Sequence, residues 1–174
     1  MTVDVMSRFL GVLAVVAAGG ALWLLLLRRH PASAAIREHA LPLAAAIATT
    51  AMLGSLWYSE VAGFVPCDLC WYQRYAMYPL AIVLTISAIR GDQRIRLPAA
   101  ALAGIGLTTS AWHVAVQRVP SLSGATSCSA ESPCSAMWVE VFGLLTIPTM
   151  AACGFLAVLV LLSSPSPTSR TPTR

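Results

Sequence analysis

The sequence predicts an all-α polytopic membrane protein: a four-helix transmembrane bundle with one extra transmembrane helix ahead of it at the N-terminal side. Three observations predict it. Of the 174 residues, 57% are hydrophobic and only 10% charged, with a mean hydropathy of +0.75, whereas a soluble domain of this size needs far more polar surface. Apolar runs recur at close to the ~20 residues that a bilayer crossing takes. The arginines, finally, collect in the segments between those runs.

The first run, residues 9–27 (FLGVLAVVAAGGALWLLLL), carries no charge. Its N-terminal flank sets Asp4 against Arg8, and the stronger charges follow the run, so a retained helix fits better than a cleaved signal peptide. The second run, 40–59 (ALPLAAAIATTAMLGSLWYS), is also uncharged. Residues 75–89 are uncharged and extend a helix that begins near Cys67, and 97–116 carry only His113, close to their end. The last run, 141–162 (VFGLLTIPTMAACGFLAVLVLL), completes five expected spans. Pro79, Pro98 and Pro148 are expected to shape helices, and Gly104 and Gly106 to permit close packing. The chain divides into an extra helix with a basic cytoplasmic linker (1–39), a four-helix membrane domain (40–162) and a disordered cytoplasmic tail (163–174).

All eleven basic residues are arginine. Arg28, Arg29 and Arg37 follow the first run, Arg90, Arg94 and Arg96 lie in "RGDQRIR", and Arg170 and Arg174 are in the tail. Placing these segments in the cytoplasm puts eight arginines inside, as the positive-inside bias requires. Arg8, Arg74 and Arg118 then fall at the outer side, with Asp4, Glu60, Asp68, Glu131 and Glu140; Glu60 and Glu140 are expected to be solvated boundary residues. The net charge of +4 therefore reflects topology, and nothing points to nucleic acid.

In this topology Cys67 and Cys70 lie outside, just after the second span, and Cys128 and Cys134 lie in the other outer loop. Two pairs on one face, in a compartment that permits disulfides, is the central observation. Cys153, alone in the last run, is expected to be a small buried apolar residue. Pro66 suits the start of a helix. The second loop, "RVPSLSGATSCSAESPCSAMWVE", is rich in Ser, Gly and Pro and is expected to be a mobile arm.

A thiolate is the reactive form of cysteine, and helix N-termini and nearby cations favour it. Cys67 sits at such an N-terminus. Cys70 and Arg74 stand at i and i+4 on one helical face, so Arg74 can stabilise a Cys70 thiolate or an anionic adduct. Trp71, Tyr72, Tyr75 and Tyr78 mark the membrane interface and can wall a flat ring. Redox exchange is one reading. Structural disulfides with interfacial anchors are another, and a zinc site built from the two pairs is a third, since CxxC alone serves all of these.

The stretches "PCDLCWYQRYAMYPL", "CSAESPC" and "FGLLTIP", with "GSLWYSE" before them and "HVAVQRVP" between, resemble the DsbB family of bacterial disulfide-bond-forming quinone reductases. The short gap between Cys128 and Cys134 is similar to the BdbC branch, and the likeness covers roughly residues 41–162. It implies a four-helix bundle in the bacterial cytoplasmic (inner) membrane with both dithiols facing outside. It also implies that Cys128 and Cys134 take electrons from a reduced thioredoxin-fold (DsbA-like) oxidase and pass them to Cys67 and Cys70. Cys70 would then deliver them to a quinone, ubiquinone or menaquinone, that Arg74 helps to hold. His113 could hydrogen-bond a quinone oxygen or simply find a backbone partner, and Gln73 could contact the quinone too. A transient disulfide from Cys67 to Cys128 is expected during turnover. Vitamin K epoxide reductase relatives also couple dithiols to a quinone, but lack WYQR after the CxxC. The extra first helix lies outside the family's usual four.

Overall fold

The computed structural model describes residues 2–27, 30–125, 128 and 132–164, and the regular elements among them are helices. The helices are α1 (Val3–Leu26), α2 (Pro31–Glu38), α3 (Ala40–Glu60), α4 (Asp68–Arg90), α5 (Arg96–Arg118) and α6 (Ile147–Ser163), with 3-10 turns at 93–95 and 120–125. Among the described residues there is no strand, only an isolated bridge between Val141 and Leu145. α1, α3 and α5 with the turn before it are long and apolar enough to cross a membrane, and α6 is a shorter apolar helix. α4 runs for 23 residues. Arg28, Arg29, Glu131, Arg170 and Arg174, with most of the expected tail, lie outside the described residues.

The long helices form one bundle. α5 lies along α6 and α4, α3 along α4 and α6, and α1 along α6. Small residues bring the backbones together: Ala40, Ala44, Ala48, Ala81, Ala99, Ala103 and Ala157 are buried around Leu80, Leu84, Phe155 and Val158. In lipid, where neighbouring tails are as apolar as leucine, such close packing carries helix association. Thr49 and Thr85 share a hydrogen bond across α3 and α4 at 3.1 Å. At the end away from the cysteines, Arg96 donates to the carbonyls of Leu161 (2.9 Å), Leu162 (3.1 Å) and Ser164. These carbonyls lie at the C-terminal end of α6, where intrahelical donors run out, so Arg96 closes that helix end.

Two expectations change. The last run does not form one helix over 141–162. Val141 and Leu145 exchange hydrogen bonds at 2.9 Å in both directions, and Phe142 and Gly143 between them both take positive φ. Pro148 then lies in the first turn of α6, where its missing N–H costs nothing, so the helix begins at Ile147. The basic segment after α1 contains the short helix α2. Of the two glycines in α5, only Gly106 permits a close approach. A β-carbon there would stand 2.2 Å from Phe155, whereas one at Gly104 would meet nothing within 4 Å.

That contrast is testable. Gly106→Ala should lower the stability of the protein in detergent by about 1–3 kcal/mol through overpacking against Phe155, and Gly104→Ala should leave the melting temperature unchanged or slightly raised. Adding Phe155→Leu to Gly106→Ala should recover part of the loss in the same thermal melts.

Candidate redox site

The cysteines gather at the end where α3 and α5 finish and α4 and α6 begin. Pro66 and Cys67 are extended, and Cys67 is the N-cap of α4 with φ −76° and ψ 171°. Its carbonyl accepts the first helical bond, from the Trp71 N–H at 3.1 Å. One turn later Cys70 comes back alongside it, and the two sulfurs lie 2.9 Å apart. Cys67 is buried and Cys70 half-buried, both as free thiols. In the outer loop, Cys128 and Cys134 are joined by a disulfide.

The loop is held down where it carries Cys134. Along the last turns of α5, His113 Nε2 donates to the Cys134 carbonyl at 3.0 Å and Gln117 donates to the Ala136 carbonyl at 3.1 Å. Arg118 donates to the Leu144 carbonyl at 3.1 Å and pairs with Glu140 at 3.4 Å. Thr146 donates back to Gln117 at 2.8 Å. Cys134, Val139 and Val141 are buried as a result. The expectation of a mobile arm is therefore corrected for residues 132–140, whose backbone is bonded at Cys134 and Ala136, while 126, 127 and 129–131 lie outside the described residues. Serine, glycine and proline content describes a chain's local freedom, and here side chains from α5 remove that freedom by bonding its carbonyls.

His113 is the joint of the site. Only 2% of it is exposed. Gln73 Nε2 donates to its Nδ1 at 2.8 Å, which leaves the proton on Nε2 for the Cys134 carbonyl. The same ring lies 3.8 Å from the Cys67 sulfur. The sulfurs of Cys67 and Cys134 and a nitrogen of His113 fall within 4.8 Å of one another. Such a trio resembles part of a zinc site, but the Cys134 sulfur is committed to Cys128 and both His113 nitrogens have protein partners. Of the two alternatives for His113, the backbone partner is the one present. The loop sulfur that lies within 4.8 Å of the Cys67 sulfur is that of Cys134.

The charge of the reduced pair sits on Cys67, whose thiol is pulled down to about 4. The main cause is the hydrogen bond from the Cys70 thiol; burial opposes it, and His113 assists. The helix N-terminus argument favours a thiolate at Cys67, and the i, i+4 argument makes Arg74 able to stabilise one at Cys70. Arg74 does share a face with Cys70, but its guanidinium donates to the Ser55 hydroxyl at 3.0 Å and the Ser55 carbonyl at 2.9 Å. It also lies 5.3 Å from the Trp71 ring centre.

Cys70, Gln73 and Arg74 face a second feature that the sequence did not announce. A cavity of about 500 Å³ opens between α1, α3, α4 and α6, and these three residues, with Ser55 and Tyr58, form its polar end. The rest of its wall is apolar. Cys67 and His113 are not on that wall; with Cys70 they line a small separate pocket beneath the loop, beside Gln117 and Pro133. Trp71, Tyr72 and Tyr75 point outward and are exposed, and Tyr78 lines the cavity.

Comparison with known proteins agrees with this arrangement. The family model described as "Disulfide bond formation protein DsbB" matches residues 37–164. The chain is 41% identical over 116 residues to "Disulfide bond formation protein C" of Bacillus subtilis (strain 168), an alignment covering 67% of this chain and 84% of that protein. It is 46% identical over 114 residues to "Probable disulfide formation protein" of Oceanobacillus iheyensis, covering 64% and 77%. It is 42% identical over 127 residues to "Probable disulfide formation protein C 2" of Bacillus anthracis, covering 73% and 90%. No solved structure matches the chain. With two cysteine pairs brought to one end of a helical membrane bundle, the chain belongs to the DsbB family, in its BdbC-like branch, as a multi-pass membrane oxidoreductase of disulfide bond formation.

Proposed function

We propose that the protein reoxidises an extracytoplasmic thioredoxin-fold dithiol oxidase and passes the electrons to a quinone of the bacterial cytoplasmic membrane, so sustaining disulfide formation in exported proteins. One observation carries the reading. The Cys67 sulfur lies within 4.8 Å of the loop sulfur of Cys134, and Cys70 beside it lines both the pocket beneath the loop and the apolar cavity that Cys67 does not reach.

In the first exchange, a partner thiolate attacks the Cys128–Cys134 disulfide. The partner leaves oxidised, and the loop pair keeps two electrons and two protons. A Cys134 thiolate then attacks the Cys67 sulfur of an oxidised Cys67–Cys70 pair, the S–S bond breaks, and the Cys70 sulfur departs with the electron pair. Cys128 next attacks Cys134, re-forming the loop disulfide and releasing Cys67 as a thiolate. Thiol–disulfide exchange runs through such mixed disulfides, and a thiolate that ionises easily is a good leaving group. The low Cys67 value makes its release at this last step easy. His113 keeps Cys134 in reach through the peptide carbonyl, without occupying its sulfur.

The donor set at the cavity suits a quinone. Arg74 and Gln73 offer N–H donors for a ring oxygen, Cys70 offers the sulfur, and the wall beyond is apolar. A quinone bound there supplies a lipid-soluble acceptor for two electrons and two protons, the amount a dithiol gives up. Arg74 keeps a positive charge beside Cys70, anchored on Ser55, and the apolar wall excludes water from that end.

The test needs no partner protein. The purified protein is reduced, freed of reductant and mixed with a quinone analogue, and free thiols and quinone absorbance are followed together. Thiols of Cys67, Cys70, Cys128 and Cys134 should disappear as quinone is consumed, Cys70→Ser should abolish this, and Arg74→Ala should slow it about tenfold or more, as expected for losing charge-assisted hydrogen bonds. Thiols that persist, or cysteines that resist mild reductant, would favour structural disulfides; bound zinc in the purified protein would favour the metal reading.

A second expectation concerns pH. In the reduced protein, ultraviolet thiolate absorbance should be present at every pH from above about 4 up to the ordinary thiol value of 9.0, because Cys67 is already ionised there. Cys70→Ala removes the largest cause of that shift, so the onset of Cys67 thiolate absorbance should move upward toward 9.0. An unchanged onset in Cys70→Ala would show that another group sets the Cys67 charge.

A further inference from the structure

Helix α1 lies outside the residues that the family matches, yet it forms one long wall of the cavity. We infer that α1 builds a tail channel: the isoprenoid tail of the quinone runs along α1, away from a ring held at Cys70, Gln73 and Arg74. This rests on the quinone reading above and extends it to a binding element of its own.

The α1 residues on the wall include Leu10, Ala14, Ala17, Ala21 and Leu24. Their spacing of three and four places them on one helical face, and at ~1.5 Å per residue that stripe is about 21 Å long. Leu43 and Ile47 of α3 lie on the same cavity. The stripe is hollowed by small residues. Gly20, also on the wall, is exposed, and a β-carbon added there would meet nothing within 4 Å, so the space is open on that side. The result is a long, narrow, apolar space closed by polar groups at one end, which suits a flat polar ring with a linear hydrocarbon tail better than it suits water or a compact solute.

The docking of α1 is specific at the polar end. Tyr58 of α3 donates to the Ser7 hydroxyl at 2.9 Å, and both groups are buried. Leu10 packs against Gly54 so closely that a β-carbon there would stand 2.9 Å from it. Gly11 lies against Val141 and Leu145, at 3.4 and 3.5 Å from where its β-carbon would be. α1 also packs on α6, and the cavity lies between α1 and residues of α3, α4 and α6.

The experiment uses the full chain in lipid nanodiscs and two kinds of quinone, one tailless and one with a long isoprenoid tail bearing a photoreactive diazirine near its far end. Irradiation should label α1 between residues 13 and 24, with competition by unmodified long-tailed quinone. In parallel, Ala17→Phe and Gly20→Leu should raise KM for the long-tailed quinone at least about tenfold, the equivalent of ~1.4 kcal/mol of lost apolar contact, and leave the tailless quinone within about twofold. Val15→Phe, on an exposed α1 position off the wall, should change neither. Gly20→Leu fills open space and improves helix propensity, so it keeps the test informative if Ala17→Phe does not fold. Labelling confined to α3–α6, or equal effects on both quinones, overturns the inference while Cys70→Ser still abolishes quinone consumption. Labelling by a photoreactive phospholipid that excess quinone does not compete away also overturns it, since an acyl chain would then be the occupant. If Cys70→Ser leaves consumption of both quinones intact, the underlying quinone reading falls with it.

Discussion

A histidine ring buried near the outer end of α5 is bonded at both nitrogens, to the Gln73 amide of α4 and to the carbonyl of Cys134 in the outer loop, and these two bonds keep the dithiols within reach of each other. A buried imidazole without partners is costly in a low-dielectric setting, so its satisfaction ties three segments together. The bond reaches Cys134 through its peptide carbonyl, which leaves the sulfur available for exchange. Gln117 and Arg118, on the next turn, repeat the device on the Ala136 and Leu144 carbonyls. The loop is held along its backbone by side chains of a rigid helix, as a functional constellation requires.

The CxxC then works as a junction because of where α4 begins. Cys67 caps the helix and lies under the loop; Cys70, one turn in, faces the cavity with Arg74 and Gln73. The two compartments differ in character, one a small pocket at the loop and the other a long apolar space. On the proposed route, electron transfer between them would need no movement larger than breaking and making sulfur bonds a few ångströms apart. Gln73 belongs to both sides, since its amide bonds His113 while the residue lines the cavity. It therefore links the placement of Cys134 to the site beside Cys70.

Much of this was legible in the sequence, and the reasons for the rest are physical. Uncharged runs marked α1, α3 and α5, because lipid imposes a length and a composition on whatever crosses it. Pro66 and the CxxC marked the start of α4, and the i, i+4 rule put Arg74 on the face of Cys70. What local pattern could not supply was the partner of each polar group. The composition of residues 118–140 suggested freedom, and the three α5 side chains that remove it become visible only when α5 and the loop are side by side. His113 looked equally able to serve a ligand or a backbone carbonyl, and proximity to Cys134 decides between them. Gly104 and Gly106 look alike in sequence, yet only Gly106 has Phe155 opposite. The apolar run at 141–162 hid a turn, since hydropathy does not distinguish a helix from a tightly packed loop beneath one.

The most direct measurement is the trapping of the disulfide that joins the two pairs. In a Cys70→Ala, Cys128→Ala variant only Cys67 and Cys134 remain of the four, and in a Cys70→Ala, Cys134→Ala variant only Cys67 and Cys128. After reduction and mild oxidation, peptide mapping should find the Cys67–Cys134 bond formed rapidly and nearly completely in the first. The Cys67–Cys128 bond should form more slowly in the second, because His113 holds Cys134 beside Cys67. Equal rates, or faster capture of Cys128, would contradict the placement of Cys134 as the exchanging sulfur, and with it the role of His113 as the joint between the dithiols.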